Sequence, residues 1–224
     1  MTGNMRDLFK ALQSDSARMA GHVQQAVSDA AEAIVRGDAD RAQAAIDVDD
    51  KVDAAELRVE KSAIDLLSLY RPLAGEFRTA LMTLKANGEL ERIADCAGNV
   101  AGQVNSLLAD AERAGVAYSI SSALAGLATA TDDIVRRTVR AYNFADPDVA
   151  EQVIQGDARI DALYEQVLQE SAAELRSPSD RRERQLAFIM AAKNLERIGD
   201  HCTNVAEDIL YIVRGELVRH RHAV

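Results

Sequence analysis

Two stretches of this chain, residues 90–101 (LERIADCAGNVA) and 195–206 (LERIGDHCTNVA), match at eight of twelve positions. Each holds a Glu and an Asp four residues apart, Glu91/Asp95 and Glu196/Asp200. On a helix such residues share one face, a turn apart, and like charges at that spacing cost about 0.2–0.5 kcal/mol per pair. A chain that repeats the arrangement needs a counter-charge, and a metal cation is the first candidate.

A second set of acids falls in register with the first. Asp49 and Asp53 precede Pro72 by 23 and 19 residues, and Glu91 and Asp95 follow it by 19 and 23. Asp157 and Asp161 stand in the same relation to Asp200 and Glu196 about the Pro178-Ser179 step. If both prolines mark turns between antiparallel helices, residues equidistant from a turn lie at one height. Four carboxylates then meet at one level in each half, ~28 Å from the turn at 1.5 Å per residue.

Carboxylates so placed repel one another unless protonated or bridged by cations. All-oxygen ligation suits Mg, Mn, Ca or Fe, with Zn also able to bind. Four donors exceed what one divalent ion needs, so a cluster of two or more ions per half is expected. A single acidic i,i+4 pair on a solvated face carries no such weight, and Glu60, Glu151 and Glu165 read that way. The alternative for the registered pairs is an acidic docking face with no tightly bound metal.

Neighbouring residues add less. Asn99 and Asn204 extend the acidic stripe by one turn, as ligands or as interhelical hydrogen-bonding groups. Arg92 and Arg197 point about 100° away, toward acids of a neighbouring helix rather than toward a phosphate. His201, replaced by Cys96 in the first copy, reads as a packing or hydrogen-bonding residue. His22, His220 and His222 have no acidic neighbour in register or sit in the C-terminal tail. Glu207 has Gly102 as its counterpart, so any role for it is confined to the second half. Cys96 and Cys202 occupy non-equivalent places and are expected as buried, reduced thiols. There is no Gly-rich phosphate loop, no His-Glu-x-x-His, no nucleophile triad, and no Glu followed by His three residues later, as a four-helix di-iron oxidase would show. The sequence offers no catalytic group.

The elements that must position these acids are helices. Ala, Leu, Glu, Arg and Gln are plentiful, aromatic residues are scarce at 4%, and only three prolines occur in 224 residues. Breaks fall at Arg36-Gly37-Asp38, at residues 70–75, at Ala114-Gly115-Val116 with Ser119 or Ser121 as the next cap, at Asp146-Pro147 and at residues 177–180. They cut the chain into six segments of helical periodicity. The expected class is all-α: six long antiparallel helices in two tandem three-helix bundles, residues 1–115 and 116–224. A net charge of −10 argues against a nucleic-acid partner. No apolar run is long enough to span a membrane, and the N-terminus lacks the apolar core of a signal peptide, so a cytoplasmic location is expected.

The run L-E-R-I-G-D-H-x-x-N-V-A-E at residues 195–207, its weaker partner at 90–101, and the opening MRDLF at residues 5–9 with Leu12 and Met19 beyond it resemble the PhoU family over essentially the whole chain. That resemblance implies two PhoU bundles carrying multinuclear clusters of divalent or trivalent metal, iron or zinc in the family. The ligand motifs then fall on Asp49, Asp53, Glu91, Asp95, Asp157, Asp161, Glu196 and Asp200. It also implies negative regulation of phosphate uptake and phosphate-starvation signalling, by linking the ATPase subunit of a phosphate ABC transporter to a membrane sensor histidine kinase, with the protein peripheral to the membrane through those partners and often a homodimer. The first half departs from the pattern at Ala94, Cys96 and Gly102, so the fuller cluster is expected around Glu196 and Asp200. The competing function is a carboxylate-bridged metalloenzyme, an oxidase or phosphoester hydrolase, which would need an enclosed pocket.

Overall fold

The computed structural model describes residues 3–70, 72–176 and 182–214. Every regular element among them is helical: α1 (Gly3–Arg36), α2 (Ala39–Ile46), α3 (Asp49–Tyr70), α4 (Ala74–Ala114), α5 (Ser122–Phe144), α6 (Pro147–Arg176) and α7 (Arg182–Arg214). α1, α2/α3 and α4 pack as one bundle and α5, α6 and α7 as the other. The bundles join where α4 lies along α7, and α1 along α5. This is the six-helix, two-bundle architecture the breaks imply, with its second helix interrupted once.

The helix ends follow local chemistry. Gly37 takes φ +67, and its N–H and that of Asp38 close onto Ala33 O at 2.8 and 3.1 Å, ending α1. The Asp38 carboxylate then accepts from Arg41 N at 3.0 Å and starts α2. Ser121 caps α5 through Leu124 N (3.2 Å), and Gly115 ends α4 at φ +65. Asp146 Oδ1 accepts from the N–H groups of Asp148 and Val149, with Pro147 in the first helical position. The expected turn at residues 177–180 and the tail histidines lie outside the described residues.

Two local features depart from expectation. The helix expected to run unbroken from residue 39 to 70 stops at Ile46 and restarts at Asp49. Asp47 N still reaches Gln43 O (2.9 Å), and the N–H groups of Lys51 and Val52 both turn to Val48 O. The restart puts Asp49 in a first helical turn, where the positive end of the helix dipole favours a carboxylate. The second departure is Ala145, which ends α5 at φ 47, a left-handed conformation that costs a residue with a Cβ roughly 1–2 kcal/mol.

One continuous apolar core runs through both bundles, from Met19 and Ile34 through Leu90 and Ile93 to Leu195, Ile198 and Ile209. A smaller cluster around Leu12, Val59, Leu66 and Ala80 fills the far end of the first bundle. Polar links fix the seam between bundles. Lys85 donates to the buried Asp208 at 2.6 Å. The Glu89 carboxylate accepts from Asn204 Nδ2 at 3.0 Å and meets His201 Nδ1 at 2.8 Å. Over the end of α1, the Tyr118 hydroxyl donates to Ile34 O at 2.6 Å.

Gly37 and Ala145 therefore respond oppositely to exchange. A Cβ at Gly37 would sit 2.6 Å from the Tyr118 ring as well as in a strained backbone region, so Gly37→Ala is expected to cost about 2–3 kcal/mol. Ala145→Gly relieves the left-handed strain and is expected to stabilise by about 0.5–1 kcal/mol. Urea unfolding followed by circular dichroism checks both signs.

Candidate metal centre

The hairpin register is realised in space. In the first half Asp49 and Asp53 on α3 face Glu91 and Asp95 on α4. Burial, then the charges of Asp53, Asp95 and Asp50, raise the Asp49 carboxyl above its ordinary range. Glu91 is raised by burial and then by Asp95, Glu56 and Asp53, with Arg92 opposing. In the second half Asp157 and Asp161 on α6 meet Glu196 and Asp200 on α7. Burial, followed by Asp161, Asp200 and Glu196, pushes the Asp157 carboxyl up to about 6. Asp200 is raised by burial and Glu196, with Lys193 pulling the other way.

Helix geometry explains why the acids stay near the surface while their neighbours do not. Leu90, Ile93, Ala94 and Ala97 point into the core, as do Leu195, Ile198 and Gly199. Glu91 and Asp95, and Glu196 and Asp200, lie on the opposite side of the same turns. Asp49, Asp53, Asp95, Asp161 and Asp200 are exposed; Glu91, Asp157 and Glu196 are half-buried. The faces are open rather than enclosed. In the second half the helices approach closely because residue 199 has no side chain: a Cβ there would stand 3.1 Å from Ile160 Cδ1 and 3.2 Å from Asp157 Oδ1.

Four carboxylates at each level are donors of the chemical type that hard or borderline ions take. Asp157 Oδ1 and the Thr203 hydroxyl are both buried, and the hydroxyl beside Asp157 opposes part of the rise in its carboxyl. The side chains are nevertheless spread apart. Among the described residues no three His, Cys, Asp or Glu groups converge on a single ligating point, as mutual repulsion between like charges favours.

The structure adds participants that spacing alone did not single out. Glu56, one turn beyond Asp53, is raised by burial and then by Glu60, Asp53 and Asp95, making it a fifth acid of the first level. Lys193 holds both oxygens of Glu196, at 2.8 and 2.7 Å. The i,i+3 spacing of Lys193 and Glu196 was the available signal for the second; Glu56 had none within the repeat. His201 is turned to Glu89, two residues before Glu91, and thus bridges the seam rather than joining its own acids. At Glu89 burial pushes the carboxyl up, but hydrogen bonds from His201 and Asn204 outweigh it and hold it below its ordinary range. Arg92 pairs with Glu89 on its own helix at 3.1 Å, not across to another helix. Both cysteines are free and buried, and burial pushes the Cys202 thiol up to about 12.

The raised Asp157 carboxyl gives a pH signature. The folded state binds its proton more tightly than the unfolded chain does. This group's contribution to stability is thus fully present below pH about 3.8 and lost as pH rises through about 6. In metal-free buffer at pH 8, Asp157→Asn should be more stable than the parent by about 1 kcal/mol, a value discounted for partial solvent screening. The advantage should vanish by pH 4, as read from melting temperatures across that range.

Comparison with known proteins finds likeness in sequence and in fold. A family model described as "PhoU domain" matches residues 17–104 and again 124–209. A phosphate-specific transport system accessory protein PhoU homolog of Zymomonas mobilis is 30% identical over 203 residues, 91% of this chain and 84% of that relative. The homolog of Pseudomonas aeruginosa is 30% identical over 90% of this chain and 82% of its own length. The crystal structure of PhoU from Pseudomonas aeruginosa superposes with a TM-score of 0.84 at 27% identity, covering 94% of this chain and 99% of that one. A phosphate transport system regulatory protein PhoU from Streptococcus pneumoniae shares the fold at a TM-score of 0.83 and 20% identity, covering 96% and 99%.

Proposed function

This chain belongs to the PhoU family, and on that premise we propose that it regulates phosphate homeostasis. It restrains phosphate uptake and phosphate-starvation signalling by bridging the ATPase subunit of a phosphate ABC transporter and a sensor histidine kinase. The transport side of this role is supported by relatives named as accessory proteins of phosphate-specific transport. The bridging side is carried by one observation: two levels of registered carboxylates lie on open helix faces, one in each bundle. Bound iron or zinc would turn each acidic face into a fixed, partly neutralised surface on which a partner can dock. The eight residues Asp49, Asp53, Glu91, Asp95, Asp157, Asp161, Glu196 and Asp200 would hold those ions.

The protein acts as an adaptor rather than an enzyme. Five of the eight carboxylates are exposed, so a substrate bound there would remain in water, without the low-dielectric enclosure that strengthens catalytic electrostatics. No helix among the described residues is long and apolar enough to cross a membrane. The protein works in the cytoplasm, reaching the membrane through its partners, and pairs as a homodimer. Its two units, residues 1–115 and 116–224, each present one face.

Two measurements test this separately. Metal analysis of protein purified without chelators should find two or more iron or zinc ions per half, lost in an Asp95→Ala/Asp200→Ala double variant. Equal and negligible metal in both proteins would remove the clusters. Binding assays with the purified transporter ATPase and the cytoplasmic part of the kinase should give a complex with each; no complex with either would sink the bridging role.

A further inference from the structure

The two carboxylate levels descend from one repeated unit but differ in what stands beside them. On the second level Lys193 Nζ lies 2.8 and 2.7 Å from the two oxygens of Glu196 and 5.4 Å from the centre of the Tyr164 ring. Aligning Glu91 with Glu196 places Gly88 at the position of Lys193. Aligning Asp53 with Asp161 places Glu56 at the position of Tyr164. The same corner of the site therefore carries a lysine and an aromatic ring in one half, a glycine and a further acid in the other.

We propose that Lys193 is a resident counter-cation of the second carboxylate level, competing with a metal ion for Glu196, while the first level carries Gly88 and Glu56 in its place. The proposal rests on reading both levels as metal sites. The ammonium grips both oxygens of Glu196, whose side chain is only 14% exposed, so the pair is partly shielded from water. An arriving ion must detach the lysine or accept a like charge a few ångströms away, and that repulsion falls only as the inverse of distance. The lysine stem is flexible and its side chain half-exposed, so it has room to withdraw over Tyr164 or into solvent. On the first level Glu56 adds negative charge where the second level has the Tyr164 ring, and Gly88 supplies no ammonium. Neutralisation there must come from outside the chain to a greater degree.

The test uses Mn2+ titrated into metal-stripped full-length protein, with free Mn2+ read by electron paramagnetic resonance. Asp95→Ala isolates the second level and Asp200→Ala the first. In the Asp95→Ala background, Lys193→Met, which keeps the length and apolar contact of the stem, should tighten Mn2+ binding by about ten-fold. Lys193→Gln should do the same if charge decides. In the Asp200→Ala background, Gly88→Lys should weaken binding by about the same factor. A Cβ at Gly88 meets nothing within 4 Å, and Gly88→Ala serves as the control that leaves affinity unchanged. Melting temperatures separate competition from a structural role. Lys193→Met should melt below its parent without metal and above it with saturating Mn2+, whereas a purely structural lysine would lower both. Unchanged or weaker Mn2+ binding in both Lys193 variants overturns the proposal. Absence of Mn2+ binding at either level of the parent overturns instead the metal reading beneath it.

Discussion

Carboxylates held at one height by antiparallel helices repel, and the apolar interior on the other side of those helices is what holds them there. Leu90, Ile93, Leu195 and Ile198 are essentially fully buried, and each such side chain contributes about 1.5–3 kcal/mol. Each acidic i,i+4 pair opposes this by only a few tenths of a kcal/mol. Sliding α3 against α4, or α6 against α7, by one turn would separate the acids and unpack several core side chains together. The core wins by a wide margin. The acids are left at one level, and burial raises the carboxyls of Asp49, Glu91, Asp157 and Asp200.

The seam between the bundles obeys the same register. Lys85 meets Asp208, Glu89 meets Asn204, and Arg113 meets Glu183 at 2.8 Å, so α4 ascends as α7 descends. Because α4 and α7 are copies of one another, an antiparallel seam makes each contact available twice in mirrored form. Glu89 reaches His201 and Asn204, whereas its repeat counterpart Asn194 folds back onto Met190 O at 2.8 Å. At this link the first copy supplies the acceptor and the second the donors, the reverse of Lys85–Asp208 and Arg113–Glu183. The substitution of Cys96 by His201, which weakens the resemblance between the copies, adds one of the links between bundles.

Most of the scaffold was legible because its signals are local. Gly37 and Gly115 take positive φ, Ser121 and Asp146 cap where their positions suggest, and the symmetry of Asp49/Asp53 and Glu91/Asp95 about Pro72 needed only the rise of a helix. What escaped depends on tertiary packing. The break at 47–48 has no Gly or Pro to announce it, and Gln43, Val48 and Asp53 all fit a continuous helical pattern. Ala145 enters the left-handed region because Asp146-Pro147 must restart the chain at once, which overrides alanine's own preference. Glu56 escaped because its counterpart is Tyr164, so a search for repeated acids discards it. Arg92 was directed outward correctly, but its nearest acid lay three residues back on its own helix.

Divergence between the copies has therefore fallen on the surroundings of the acids and not on the acids themselves. The backbone places four carboxylates at each level, and neither copy has lost one of them. The groups that balance those acids have changed instead: Gly88 against Lys193, Glu56 against Tyr164, Ala94 against Gly199. The last exchange lets α6 approach α7 closely beside the half-buried Asp157, and the first places an ammonium on Glu196. Closer helices strengthen repulsion within the second level, and a lysine at its edge offsets part of it. The first level has Ala94 at that position and gains an acid, Glu56, instead. Two faces drawn from one template thus present different charge at equal height.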